Sequence, residues 1–184
     1  MKTTIFFALC ISVSLFAQSP TSKGTINLNG NLSFSSQSYE EGNDNTSVLT
    51  LNHQVGVFLI DNLSLGLSLS YDRISLGSSS NTNWGIGPNL RYYFNSENVK
   101  PFLSIGYSYT ETFTSLNDDK WKGHQFILGG GLDYFIARNV ALETTVSYKF
   151  NTVTIPESYN AFYRNLEQKS KTFLIGIGIN FFLY

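Results

Sequence analysis

The sequence predicts an all-β chain: eight antiparallel strands closed into an up-and-down transmembrane β-barrel. Three observations predict it. Apolar and polar residues alternate almost without interruption over eight segments of about 13–16 residues. The polar half of that alternation is Ser, Asn, Thr and Gly rather than charge. Finally, the connecting segments alternate between short and long. Period-two alternation is the mark of strands with two unlike faces. Soluble strands usually run about 5–6 residues, whereas a strand crossing a bilayer at a tilt needs about 9–11 plus extensions.

The elements follow in order. Segment 25–38 carries Ile26, Leu28, Leu32 and Phe34 on one parity and Asn27, Asn29, Asn31, Ser33 and Ser35 on the other. Segment 47–60 sets Leu49, Leu51, Val55, Val57 and Leu59 against Thr50, Asn52, Gln54 and Gly56. Segment 63–76 sets Leu63, Leu65, Leu67, Leu69 and Tyr71 against Ser64, Gly66, Ser68, Ser70 and Asp72. Segment 82–94 sets Trp84, Ile86, Leu90, Tyr92 and Phe94 against Asn83, Gly85, Gly87, Asn89 and Arg91. Pro88 interrupts it and removes a ladder donor, which predicts a bulge. Segment 100–114 offers Leu103, Ile105, Tyr107 and Tyr109 against Ser104, Gly106, Ser108 and Thr110. Segment 122–136 offers Phe126, Leu128, Leu132, Tyr134 and Ile136 against Gln125, Gly129, Gly131 and Asp133. Segment 139–153 offers Val140, Leu142, Val146, Tyr148 and Phe150 against Glu143, Thr145, Ser147 and Lys149. Segment 169–184 ends the series with Phe173, Ile175, Ile177, Ile179 and Phe181 against Thr172, Gly176, Gly178 and Asn180.

Three connectors are short (60–62, 95–99 and 137–139), and four are longer and polar (39–46, 77–81, 115–121 and 154–168). An even strand number with short turns on one rim and long loops on the other is the asymmetry of an outer-membrane barrel. The long set is expected to face outside the cell.

Alternation by itself does not say which face points inward. A secreted lipocalin-like barrel would bury the apolar set and bind an apolar ligand. Its water-facing side would be rich in Lys, Glu, Asp and Arg. Here charged residues are only 14% of the 184, against about 25% in ordinary soluble domains. Most of the 15 glycines sit on the polar parity, which suits the narrow interior of an eight-stranded barrel. The apolar parity carries Tyr71, Trp84, Tyr92, Tyr107, Tyr134, Tyr148 and Phe181, the ring types of interfacial girdles. The apolar face is therefore read as lipid-facing and the polar face as lumenal. His53 lies on the lipid parity and predicts a bulge or a rim position.

Lys2, the apolar stretch Ile5–Phe16 and Ala17 have the three-part pattern of a secretory signal peptide. This divides the chain into a leader, 1–17, and a barrel domain, 18–184. Cys10 is preceded by Leu9 and lies inside the apolar stretch, which argues against lipidation there. A net charge of −1 gives no basic field for nucleic acid. No apolar run reaches the roughly 18 residues of a membrane helix.

The mature chain resembles the small eight-stranded outer-membrane β-barrel family of Gram-negative bacteria, the porin-like or outer-membrane protein X-like group. The stretches that carry the resemblance are Arg91-Tyr92-Tyr93-Phe94, Lys100-Pro101-Phe102-Leu103-Ser104-Ile105-Gly106-Tyr107, Gly129-Gly130-Gly131-Leu132-Asp133-Tyr134 and the end, Gly176-Ile177-Gly178-Ile179-Asn180-Phe181-Phe182-Leu183-Tyr184. The resemblance implies residence in the cell outer membrane, contact with outer-membrane lipids and lipopolysaccharide, and insertion by the barrel-assembly machinery. It also implies a C-terminal assembly signal, at Phe182 and Tyr184. A monomer is expected.

One constellation invites chemistry. Arg91, Asp133 and Glu143 share the lumen parity near the short-turn rim, and Lys149 lies higher on the same face. Asp133 and Glu143 are opposed across the turn at 137–139, and opposed like charges need a cation. The reading is a buried salt-bridge cluster of Arg91, Asp133, Glu143 and Lys149 that holds the lumen together. A gate or ion path is the weaker alternative. Catalysis is not expected, because no nucleophile stands beside a base; His124 near Ser115 is the one crude pair. His53 and His124 lack the spacing of a metal site. Gly129-Gly130-Gly131 precedes no helix, so no phosphate loop is present. No cofactor is expected. Glu40-Glu41 and Asp118-Asp119 are read as solvated loop charges. Trp121 is read as a loop residue between Lys120 and Lys122. The expected function is an integral outer-membrane barrel with a structural, surface-interaction or minor-permeability role. Surface adhesion through the long loops is the alternative.

Overall fold

The computed structural model describes residues 19–37, 46–76, 79–114, 117–154 and 167–184. The strands are β1 (Ile26–Gln37), β2 (Thr46–Ile60), β3 (Leu63–Leu76), β4 (Ser79–Tyr93), β5 (Val99–Thr114), β6 (Asn117–Ala137), β7 (Val140–Thr154) and β8 (Glu167–Leu183). They form a closed barrel in sequence order, with β8 returning to pair with β1. Every neighbouring pair is antiparallel. Closure removes all sheet edges, and an eight-stranded interior leaves room for side chains and little more.

Burial is inverted relative to a soluble protein. Ile177, Ile175 and Leu103 on the outer wall are 65%, 60% and 58% exposed, whereas Asn180, Asp133 and Glu143 inside are 0–1% exposed. The apolar parity of every strand therefore faces outward as one continuous wall, and the Ser/Asn/Thr/Gly parity fills the lumen. On that wall Tyr71 packs edge-on against Trp84 at 4.8 Å, and Tyr92 against Phe94 at 5.3 Å. These pairs stand 8–10 residues apart along β4. At about 3.3 Å per residue and a tilt near 40° they bracket roughly 20–25 Å, the height of an outer-membrane apolar band.

The strands run further than alternation indicated. Residues 79–81 and 117–121 belong to β4 and β6 rather than to loops, so two of the four connectors expected to be long shrink to 77–78 and 115–116, shorter than the 94–98 turn, and only the β1–β2 and β7–β8 connectors of that rim are long. Trp121 is thus a strand residue, paired with Thr112, because hydrogen-bonded ladders persist beyond the bilayer where alternation fades. Asp118 and Asp119 also fall within β6, and Glu40 and Glu41 lie outside the described residues.

Two expected bulges are absent. His53, expected at a bulge or a rim, is at neither: it sits in unbroken register between Gly30 and Leu69, midway along β2 on the outer wall. At Pro88 the β4–β5 register is the same on either side, Ile86 facing Tyr109 and Asn89 facing Gly106. Pro88 keeps its partner Leu67 on β3, so the missing N–H costs ladder bonds on one side and needs no extra residue. The neighbouring Gly87 is required there: a Cβ would stand 2.0 Å from the Tyr107 carbonyl oxygen. Bulges occur instead between Phe58 and Ile60, Phe113 and Thr114, and Phe135 and Ala137, close to the strand ends.

The described N-terminal segment, from Ser19, and Tyr184 lie at the short-turn rim, here called the turn end. Asn62, with φ +67°, makes the tight β2–β3 turn. The segment before β1 folds across this rim. Gly24 N–H donates to the Phe58 carbonyl (2.8 Å), and Phe58 N–H to the Thr25 carbonyl (2.9 Å). Thr21 Oγ1 donates to Asn62 Oδ1 (2.8 Å).

Candidate functional site

The lumen is a stack of layers, built here from the turn end upward. The lowest is aromatic. Phe58, Tyr93, Phe102 and Phe182 are buried on lumen parity, with Ala141, and Phe135 and Tyr184 pack against them. Ring centroids lie 5.1–6.3 Å apart from Phe135 through Phe182 and Phe58 to Tyr93 and Phe102. Each of these residues sits within a few positions of a short turn, so six strands deliver one side chain to the same level. Sequence reasoning missed this plug. Its signal was the apolar doublets that break alternation at strand ends, such as Val57-Phe58, Tyr92-Tyr93 and Phe181-Phe182. Phe182 accordingly points inward, while its neighbours Phe181 and Leu183 face outward at 44% and 49% exposure. Tyr184 Oη donates to the Arg138 carbonyl (3.4 Å).

The next layer is ionic. Arg91 Nη1 forms an ion pair with Glu143 Oε2, both side chains being almost fully buried. Arg91 also donates to Tyr93 Oη (3.2 Å) and, through Nη2, to Gln54 Oε1 (3.1 Å). Its guanidinium lies 4.1 Å over the Phe102 ring, which couples this layer to the plug. Asn31 Nδ2 donates to the other Glu143 oxygen (3.1 Å). Asp133 faces Glu143 directly in register and accepts from Asn180 Nδ2 (2.9 Å). Lys100, also buried, faces Asp133 from β5.

Lys149 does not join this group. It makes a second ion pair, Nζ to Asp72 Oδ1 (2.8 Å), across the lumen on β3. Thr50 Oγ1 and Asn83 Nδ2 donate to the two Asp72 oxygens (2.6 and 3.2 Å). The expected single cluster is thus two separate layers. The cause is length: Lys149 stands six positions above Glu143 on β7, too far for one ionic network but level with Asp72 once the strands shear around the barrel. A cavity of only about 60 Å³ separates the layers. Above Lys149–Asp72 the lumen widens to about 530 Å³ toward the long-loop rim.

The remaining candidates disperse. His124 lies on the outer wall, its Nδ1 2.5 Å from Tyr107 Oη and its ring stacked on Tyr107; Ser115 lies outside the described residues. His53 also faces outward, far from His124 in the strand order. Among the described residues no three His, Cys, Asp or Glu side chains gather as metal ligands. The connector 155–166 and the segment 1–18, with Cys10 and the proposed cleavage point, lie outside the described residues.

Comparison with known proteins follows the same lines. The family model described as "Outer membrane protein beta-barrel domain" matches residues 4–181. No curated protein matches the sequence. Among solved structures, Neisserial surface protein A is similar in fold, with TM-score 0.63 and 17% identity over 86% of this chain and 99% of that one. Outer membrane protein OprG from Pseudomonas aeruginosa gives TM-score 0.53 and 14% identity over 91% of this chain and 100% of that one. The outer membrane enzyme PagL gives TM-score 0.50 and 12% identity over 84% and 97%. At such identities the likeness is one of fold.

Proposed function

The chain belongs to the outer membrane protein β-barrel domain family, and from that premise we propose that it is a non-enzymatic barrel, closed to passage, with a structural and surface-interaction role. One observation carries this reading: the lumen is obstructed three times over, by Lys149–Asp72, by Arg91–Glu143 and by the aromatic plug under the Thr21–Thr25 fold. Each obstruction draws on several strands, so no single side-chain rotation opens a path.

In this reading a leader ending at Ala17 is removed on export. The barrel resides as a monomer in the outer membrane, with its turn end in the periplasm. Its outer wall meets lipid and lipopolysaccharide. The end of β8, with Phe182 and Tyr184, is presented to the assembly machinery before Phe182 is enclosed.

The test combines fractionation with conductance. The protein is expected in the outer-membrane fraction and to shift in gel mobility between unboiled and boiled samples. In planar bilayers the folded wild type is expected to show no stable conductance steps. Regular steps from the wild type, or a soluble protein without a mobility shift, would overturn the reading.

A further inference from the structure

The β2–β3 and β6–β7 hairpins are built alike. Residues 58–71 and 135–148 match Phe58 with Phe135, Asn62 with Asn139, Leu65 with Leu142, Ser70 with Ser147 and Tyr71 with Tyr148, all at one constant spacing. Each hairpin closes in a two-residue turn, Asp61-Asn62 in one and Arg138-Asn139 in the other. Each carries its bulge at the same place, between Phe58 and Ile60 and between Phe135 and Ala137. Phe58 lies in the aromatic plug, and Phe135 packs against it.

The flanking strands repeat the likeness. Tyr93 N–H donates to the Asn62 carbonyl (2.8 Å), and Phe182 N–H to the Asn139 carbonyl (2.9 Å). Phe58 N–H donates to the Thr25 carbonyl (2.9 Å), and Phe135 N–H to the Asn98 carbonyl (3.0 Å). So β1–β4 and β5–β8 are counterparts strand by strand, and the segment 94–98 joins them. In a closed ring of eight, β3 and β7 stand opposite each other, which relates the two units by an approximate two-fold along the barrel axis. The two-fold is approximate because the seams between the units differ by two residues. Tyr93 faces Phe102, whereas its counterpart Phe182 faces Asn27, the counterpart of Lys100.

The charges of the lumen break this symmetry. The residue directly after Tyr71 is Asp72, and the residue directly after Tyr148 is Lys149. These two counterparts meet across the lumen at 2.8 Å. The lower pair also joins the units, Arg91 on β4 with Glu143 on β7. By the same spacing Glu143 corresponds to Gly66, and Arg91 to Asn180. Among the described residues, both buried ion pairs therefore have one partner in each unit. Two copies of β1–β4 closed on each other would set Asp72 against Asp72 and Arg91 against Gly66. Two copies of β5–β8 would set Lys149 against Lys149 and Glu143 against Asn180. Like charges, or a lone charge, buried in so narrow a lumen oppose closure.

We infer that the barrel is a fused pair of equivalent four-stranded units, and that its lumenal charges form a matching surface by which each unit closes with the other and not with a copy of itself. Repulsion in the wrong pairing serves such specificity as much as attraction in the right one. The matching holds whether or not the lumen conducts.

The test uses the full chain, refolded into phospholipid vesicles, and reads the fraction of heat-shifted gel band. Exchanging residues 58–65 with 135–142 swaps the two turns, their bulges and their buried aromatic residues. That chain is expected to keep at least half of the wild-type folded fraction; a smaller fraction would overturn the equivalence of the units. Asp72→Lys and Lys149→Asp, each alone, set like charges against each other and should lower the folded fraction at least fivefold. The two together restore opposite charges and should return it to at least half of wild type. Asp72→Asn leaves Lys149 without its partner but adds no like charge, and should lose at least threefold less than Asp72→Lys. An exchanged pair no better than the single variants would overturn the matching role. So would equal losses from Asp72→Asn and Asp72→Lys, because repulsion would then play no part.

Discussion

Asp133 and Glu143 face each other directly across the β6–β7 hairpin, both buried, and Arg91 makes its ion pair with Glu143. Two opposed carboxylates on one wall destabilise the hairpin by themselves. Arg91, reaching across from β4, makes the arrangement tenable; Asn31 donates to Glu143 and Asn180 to one Asp133 oxygen, while the other, Oδ1, is buried without a hydrogen-bond partner.

Removing that cation leaves uncompensated buried charge. Arg91→Met is expected to destabilise the folded barrel by about 3–5 kcal/mol, read as a lower urea midpoint for the folded gel band. Adding Glu143→Gln to Arg91→Met should recover part of the loss. A double variant no more stable than Arg91→Met would show that the charge of Glu143 is not what Arg91 offsets.

The upper pair should behave as an independent unit. Lys149→Met strands Asp72 beside Thr50 and Asn83. Combined with Arg91→Met, the two losses are expected to add within about 0.5 kcal/mol, as for sites without shared partners. A larger coupling energy in the double-mutant cycle would mean one ionic network rather than two.

The aromatic plug is a packing element. Phe182→Ala removes a buried ring that touches Phe58, Tyr93 and Phe135 and should cost about 3–5 kcal/mol. The same variant should remain non-conducting in planar bilayers, because both ionic layers persist above the plug. Conductance gained by Phe182→Ala alone would identify the plug as the sole barrier.

Two glycines on the lumen parity should respond differently to one methyl group. At Gly131 a Cβ would stand 2.0 Å from the Thr144 carbonyl oxygen and 2.8 Å from the Phe102 ring, so the backbone itself must move. At Gly106 the nearest atoms are 3.7 Å away, an ordinary contact. Gly131→Ala is expected to lower the folded yield clearly and Gly106→Ala hardly at all, measured by the fraction of heat-shifted band after refolding.

The face assignment predicts a depth-dependent cost on the outer wall. Leu67→Lys, midway along β3, should cost about 2–4 kcal/mol, and Ile60→Lys at the turn rim about 0–1. Equal tolerance at both positions would argue that no hydrocarbon covers the wall at Leu67.

The number of strands, their order and the two faces were legible in the sequence, because they rest on local alternation and on which residue types fill the polar parity. Leu65, Leu67 and Leu69 against Ser64, Gly66 and Ser68 already specify a strand with lipid on one side and a crowded lumen on the other. Ends were less legible: β4 and β6 outrun their alternation, because backbone pairing continues where the bilayer no longer imposes a pattern.

What only the tertiary structure decided is how the lumenal residues meet. Lys149 finds Asp72 rather than the carboxylates on its own sheet face, and Phe58, Tyr93, Phe102 and Phe182 converge from four strands. Both depend on the stagger with which eight strands close, and closure shears each strand against the next. Shear is a property of the whole ring, set when β8 meets β1, and no window of sequence contains it.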